Sequence, residues 1–309
     1  MSVLQRVLAV SVCILFLGNA ALGDWDVGDP LKWSHVQFPD LSPTGMDVKA
    51  GNVLDPIPDP NRPIMKKVLA DDFECTVPGL VRDIHIWGSW KHDILPENRD
   101  PAGSAFPDPG LVAFHLKIWS DIAVGPGGPE YSMPGQILWE MDFMPGSFTF
   151  RPEDTQFRED WYDPNTNLWL DDNHLGAFQY NFDIPLADAF MQRGTADNPI
   201  VYWVSVDAMP MGYPTPLGEE PEFGWKTTHP QNHWNDDATY SDWIWDDAAG
   251  PAGSGGAWVP AGPWLEMRYP LGHEFENLSV DLSMAITPEP TTMVLLGMGA
   301  VGLLRRRRK

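Results

Sequence analysis

Apolar residues recur at every second position over 112–119: Val112, Phe114, Leu116 and Ile118 alternate with Ala113, His115, Lys117 and Trp119. A pleated strand imposes that period, because its successive side chains leave on opposite faces. Further runs of this kind lie at 136–143, 147–150, 177–184, 200–208, 264–269 and 278–286. Ahead of them, Val81, Ile84 and Ile86 lead into Trp87-Gly88-Ser89-Trp90. The run at 200–206 is the most apolar and β-branched, which predicts a central strand. With 31 prolines and 28 glycines, few windows are left in which a helix can propagate. Only 186–193, closed by Gly194, predicts a short helix. Many short strands joined by Gly/Pro turns predict an all-β fold, a single jelly-roll-like β-sandwich.

The strands do not begin at once. Residues 24–64 are rich in Pro and Asp, and Leu54-Asp55-Pro56-Ile57-Pro58-Asp59-Pro60 cannot serve as a central strand. This stretch predicts an irregular leader lying over a sandwich domain at 65–287, anchored by Trp25, Trp33 and Phe38. Cys13 lies in the N-terminal apolar run, so Cys75 is alone in the domain and no intramolecular disulfide can form. Its setting, Phe73-Glu74-Cys75-Thr76-Val77, predicts a buried thiol. Without disulfides the domain must rely on its core, for which 15 Trp provide large rings.

Both ends carry address signals. Residues 1–23 read as a signal peptide: Arg6, an apolar run at 7–17, then small residues at Ala21 and Gly23, with cleavage by signal peptidase after Gly23. At the other end stand Pro288-Glu289-Pro290, an uncharged apolar segment at 291–304, and Arg305-Arg306-Arg307-Arg308-Lys309. The prolines hold the first part extended and accessible to a processing enzyme. The apolar part predicts a membrane helix of about 21 Å, short of a hydrocarbon core of about 30 Å, with flanking Arg and Lys reaching out to water. The terminal cations stay on the cytoplasmic side. Order and spacing resemble the PEP-CTERM sorting signal of exopolysaccharide-producing bacteria. That resemblance implies an exosortase as processing partner, contact with the inner membrane during sorting, and a final place at the cell surface or in the extracellular matrix.

A second resemblance covers 65–287. Ala70-Asp71-Asp72-Phe73, Asp83-Ile84-His85-Ile86-Trp87-Gly88-Ser89-Trp90, Tyr202-Trp203, Phe223-Gly224-Trp225-Lys226-Thr227 and His233-Trp234-Asn235-Asp236-Asp237-Ala238 are similar to an uncharacterised secreted bacterial domain often found ahead of such signals. It implies one domain and no particular activity.

Charge narrows the partners. The chain carries −23 overall; Arg6 and the five terminal cations lie in the two end segments, and of the acids only Glu289 does, so the middle is more negative still. Such a surface repels nucleic acid and anionic lipid, and is compatible with extracellular polymer held through divalent ions.

The densest chemistry lies in 223–247, where Asn235, Asp236, Asp237, Asp242, Asp246 and Asp247 offer oxygen ligands suited to Ca²⁺, with Asp71-Asp72 and Asp171-Asp172 as sparser pairs. Asn235, Asp236 and Asp237 are the candidate metal ligands. His229 and His233 stand four apart, but Pro230 argues against a helix and no Glu follows the first, so a zinc-hydrolase motif is not formed. No Gly-x-Ser-x-Gly turn and no phosphate loop is present. Sugar rings stack on flat aromatic faces, which makes Trp87, Trp90 and Trp234 the candidate ligand platforms. The leading expectation is a non-catalytic surface module associated with extracellular polysaccharide. The alternative is a polysaccharide hydrolase with paired carboxylates in a Trp-lined cleft.

Overall fold

The computed structural model describes residues 24–29, 31, 37–52, 65–99, 103–153, 156–211, 220–250 and 256–287. The alternation in the sequence becomes two large curled sheets. The first runs β10 (Thr149–Glu153), β13 (Ala177–Asp183), β5 (Asp83–Trp90), β16 (Phe223–Lys226), β1 (Met46–Lys49), β11 (Glu159–Asp163), β12 (Leu168–His174). β20 (Met284–Ile286) pairs with β5 beside β16. The second runs β18 (Ala257–Pro260), β17 (Thr239–Asp246), β3 (Met65–Cys75), β15 (Ile200–Pro210), β8 (Val112–Ile122), β9 (Met133–Phe143), with β19 (Leu265–Glu266) on β17 and β2 (Gly51–Asn52) on β3. Two small ribbons complete it: β4 (Gly79–Val81) with β14 (Phe190–Gln192), and β6 (Glu97–Arg99) with β7 (Ala105–Pro107). All named pairings are antiparallel except β1 with β11.

One apolar core joins the sheets, as a sandwich requires. Val112, Phe114, Leu116 and Ile118 of β8 meet Ile84, Ile86 and Trp90 of β5 and Phe223 and Trp225 of β16. β15 lies between β3 and β8, the central position that its β-branched run predicts. Cys75 is buried, as expected.

Several local expectations are corrected. Met46–Lys49, read as part of an irregular leader, is a strand in the middle of the first sheet. Its Met46 and Val48 alternate inward with Asp47 outward, a pattern too short to stand out among the surrounding prolines. The helix expected at 186–193 is absent: a turn follows Pro185, and 190–192 give their backbone bonds to β4. The run at 264–269 keeps only a two-residue strand, and that at 278–286 is a strand only in its last three residues. Of the leader anchors, Trp25 is buried edge-on against Trp87, and Gln179 clamps its backbone from both sides. Trp33, both terminal signals and the expected membrane helix lie outside the described residues. Among those residues no helix is long and apolar enough to cross a membrane.

The back of β8 is covered as well. Trp119, Trp203 and Trp243 form a second apolar layer with Val68 and Ala70. Two buried lysines sit over its rings: Lys117 is 4.2 Å from the Trp243 centroid and Lys66 4.7 Å from that of Trp258. Asp207 neutralises Lys66 at 2.9 Å. Burial and the neighbouring Lys117 and Lys66 push His115 down to about 3, so it is neutral at pH 7.

Candidate functional site

The first polar centre lies on the outer face of the first sheet. Asp47 of β1, Glu159 of β11, His174 of β12 and Lys226 of β16 are all fully buried. Lys226 Nζ donates to Asp47 Oδ2 at 2.6 Å and to Glu159 Oε2 at 2.5 Å. His174 Nε2 lies 2.9 Å from Asp47 Oδ2 and 2.8 Å from the Ser89 hydroxyl. Gly224, beside Lys226, makes room for this arrangement: a Cβ there would fall 2.5 Å from the Trp161 ring and 2.8 Å from Asp47 Cβ.

The electrostatics follow from that geometry. Burial opposes a charge on Lys226, but two carboxylates at contact distance outweigh it and raise the ammonium above its usual range. For Asp47, burial is outweighed by Lys226 and His174, and its carboxyl is held below the ordinary value. Glu159 moves up, because burial and the Asp47 charge outweigh its share of Lys226.

Asp47, Glu159 and His174 each bring a ligand atom within 4.8 Å of the others, but the Lys226 ammonium already supplies the positive charge that a metal ion would. Ser89, His174 and Asp47 also have the composition of a nucleophilic triad, yet Ser and Asp meet the same ring nitrogen. A relay needs them on opposite nitrogens. The centre is a sealed ionic lock between four strands.

A second centre lies where the approach to β17 passes β3. Asn235 Nδ2 donates to Asp72 Oδ2 at 2.6 Å and to Asp236 Oδ2 at 2.7 Å. Asp121 Oδ1 accepts from Ser132 Oγ at 2.6 Å and from Trp203 Nε1 at 2.9 Å. Asp71, pointing to the other side of β3, takes the backbone N–H of Leu282 and the amide of Gln37. Asp281 takes His233 Nδ1 at 2.7 Å and the N–H of Trp234 at 2.8 Å. Burial, then the charges of Asp281 and Asp72, hold Asp71 well above the ordinary 3.8. Asp72 is raised likewise by burial and by Asp236, Asp281 and Asp121, against the amide of Asn235. Asp237 rises to about 6 through burial, despite Arg268 Nη2 at 2.6 Å from its Oδ2.

A carboxyl with a raised folded value stabilises the fold most at low pH and progressively less as pH climbs from its unfolded value through the folded one. Asp72→Asn is therefore expected to gain stability relative to the parent as pH rises from 4.5 to 8. Urea unfolding at the two pH values measures this, and an offset that does not change with pH contradicts it.

The structure sorts the residues singled out from sequence. Asn235 and Asp236 meet Asp72, while Asp237 turns to Arg268. Asp242 and Asp246 are on β17, and Asp242 pairs with Lys67, so the acids of 223–247 do not form one loop site. Trp87 and Trp90 are both buried, which corrects their reading as sugar platforms. The indole N–H of Trp87 donates to Glu153 and that of Trp90 to Tyr180 Oη. Trp234 is half-buried. Asp47, Glu159, His174 and Asp121 were missed. Each is one polar residue among several in its strand, with no local signal to set it apart, and only its neighbours on other strands give it meaning.

A concave surface lies elsewhere, a groove of about 440 Å³ between β9 and β14, lined by Leu138, Trp139, Phe190, Met191, Arg193 and Tyr202. Trp139 donates its indole N–H to the carbonyl of Asp188 at 2.6 Å, which fixes the ring. Phe190 stands edge-on to Tyr202 at 5.3 Å, and the Tyr202 hydroxyl accepts the Arg193 backbone N–H.

Comparison with protein families matches residues 287–309 to the PEP-CTERM protein-sorting motif and residues 31–287 to Domain of unknown function (DUF7901). Comparisons with curated proteins and with solved structures give no match. The motif implies an exported, membrane-passing protein that associates with the membrane during sorting and is processed by an exosortase. The chain belongs to the DUF7901 family and carries a PEP-CTERM sorting motif at its C-terminus.

Proposed function

We propose that the sorted domain is a non-catalytic module that resides at the cell surface and associates with extracellular polysaccharide through the Trp139–Arg193 groove. The observation that carries this reading is the groove itself. It is mostly apolar and aromatic, with a single cationic side chain, and its volume suits a few sugar rings. Arg193 is exposed and forms no ion pair among the described residues, although the chain is strongly acidic. A guanidinium left unpaired in such a chain fits paired sugar hydroxyls or a uronate carboxylate, which its fork binds in two-point fashion. The half-buried Trp139 offers a fixed ring to the C–H face of a neighbouring sugar. The sealing of Ser89, His174 and Asp47 supports a non-catalytic role.

Trp139→Ala is expected to weaken binding of the exported protein to cell-derived polysaccharide about thirtyfold, roughly 2 kcal/mol for loss of a central aromatic contact. Affinity electrophoresis against graded polysaccharide reads the change. Equal retardation of parent and variant would remove the groove from the account. New reducing ends released by the parent would replace the whole reading with that of a hydrolase using paired carboxylates.

A further inference from the structure

We propose that the lock between Asp47, Glu159 and Lys226 closes covalently, with Lys226 Nζ forming an amide bond to the side-chain carboxyl carbon of Asp47. The sheet register brings the two together: Asp47 of β1 and Lys226 of β16 are direct cross-strand partners, although 179 positions separate them in the chain. Nζ lies 2.6 Å from Asp47 Oδ2. That spacing holds the carboxyl carbon within about 3–3.5 Å of the nitrogen, the range of a reacting pair. Groups fixed in this way behave as if present at roughly 10⁵–10⁸ M, which drives condensations that separate amines and acids do not undergo in water.

Three features of the site favour the bond over the ion pair. The first is burial. The side chains of Asp47, Glu159, His174 and Lys226 are all fully buried, and keeping opposite charges out of water carries a desolvation cost. An amide replaces one buried ammonium and one buried carboxylate by a neutral group. The second is a proton carrier. Glu159 Oε2 lies 2.5 Å from Nζ, and burial with the Asp47 charge moves this carboxyl up, so it is the better base of the two acids. The third is a donor at the departing oxygen, His174 Nε2 at 2.9 Å from Asp47 Oδ2.

The step needs no further reactant. Glu159 takes a proton from the Lys226 ammonium, and the freed amine attacks Cγ of Asp47. The C–N bond forms and the Cγ–Oδ2 bond breaks. Two protons from the nitrogen leave with Oδ2 as water, passed on by Glu159, which ends ionised as it began. Nothing is oxidised or reduced. The ion pair is the open, reactant form, and the charge effects of Lys226 belong to that form. Other lysines lack this arrangement. Lys66 meets Asp207 at 2.9 Å, but no second carboxylate among the described residues pairs with its nitrogen. Lys49 has two acids, Asp163 and Glu222, at a half-buried site.

The test is a tryptic digest of the exported, denatured protein read by mass spectrometry. Expected is a Lys226 that resists trypsin, in a peptide joined to the one carrying Asp47, the pair weighing one water less than the sum of its parts. Glu159→Gln should leave the two peptides separate and lower Tm by about 10 °C, the loss expected for a link that closes so long a loop. Separate Lys226 and Asp47 peptides from the folded parent would overturn the proposal, and that outcome decides the matter even where Glu159→Gln fails to fold. Equal linkage in parent and Glu159→Gln would overturn the assignment of Glu159 as proton carrier.

Discussion

Replacing Lys226 by methionine is expected to lower the unfolding free energy by about 3–5 kcal/mol, because it leaves the buried carboxylates of Asp47 and Glu159 without their shared cation. Methionine keeps most of the length of the side chain, so the loss reports charge rather than a cavity. Asp47 Oδ1 and Glu159 Oε1 already lack hydrogen-bond partners among the described residues, so without Lys226 the pair would lean on His174, whose Nε2 lies 2.9 Å from Asp47 Oδ2. The pH dependence identifies the cause. In the parent, Asp47 is held below its ordinary value, so its contribution is present above that value and lost as pH falls. In the variant both carboxylates gain protons readily, and the deficit should narrow between pH 8 and pH 5. Urea unfolding followed by tryptophan fluorescence measures both effects. A deficit below about 1 kcal/mol at pH 8 would mean that water reaches the lock.

Phe114→Ala is expected to cost about 4 kcal/mol and to lower Tm by about 10 °C. Phe114 reaches from the second sheet into a nest of rings, with Phe148 at 5.3 Å, Tyr180 at 5.0 Å, Phe182 at 5.2 Å and Phe223 at 5.1 Å, each edge-on. Three of these belong to the first sheet, so one side chain carries much of the contact between the layers. Removing it loses the transfer term, leaves a cavity that rigid rings cannot collapse into, and forfeits the edge-to-face contacts. Phe114→Leu keeps part of the volume and should cost about 1.5 kcal/mol. Scanning calorimetry on both variants separates volume from ring geometry; equal losses would show that the retained volume adds nothing and that the edge-on contacts carry the effect.

Much of the architecture was open to reading from local pattern. The period-two run of β8, the apolar run of β15 and the Gly/Pro turns predict an all-β sandwich, because the pleat and turn geometry act over a few residues at a time. The alternation did not reveal that both faces of β8 are covered. Lys117 and His115 look like solvent-facing positions, and the layer that covers that side is completed by rings from other strands, Trp203 of β15 and Trp243 of β17. β1 was hidden for a related reason: four residues are too few to display a period, and its partners lie more than a hundred positions away.

The sites divide along the same line. Asn235 and Asp236 stood out because they are adjacent carboxylate and carboxamide groups, whereas their counterparts on β3 and β8 are distant in the chain. Trp87 and Trp90 lie three apart on one strand and do point to opposite faces, but the sequence does not say what covers each face. Trp25 covers one and the shared core the other. By itself, then, the sequence determined the strand-and-turn grammar, the lone buried thiol, the acidic charge and the sorting address, all properties of consecutive residues. Only the tertiary structure decided which acids share a lysine, which are left with neutral donors, and which tryptophans meet solvent. Charge pairing and burial depend on distances across strands, and those are set by the sheets.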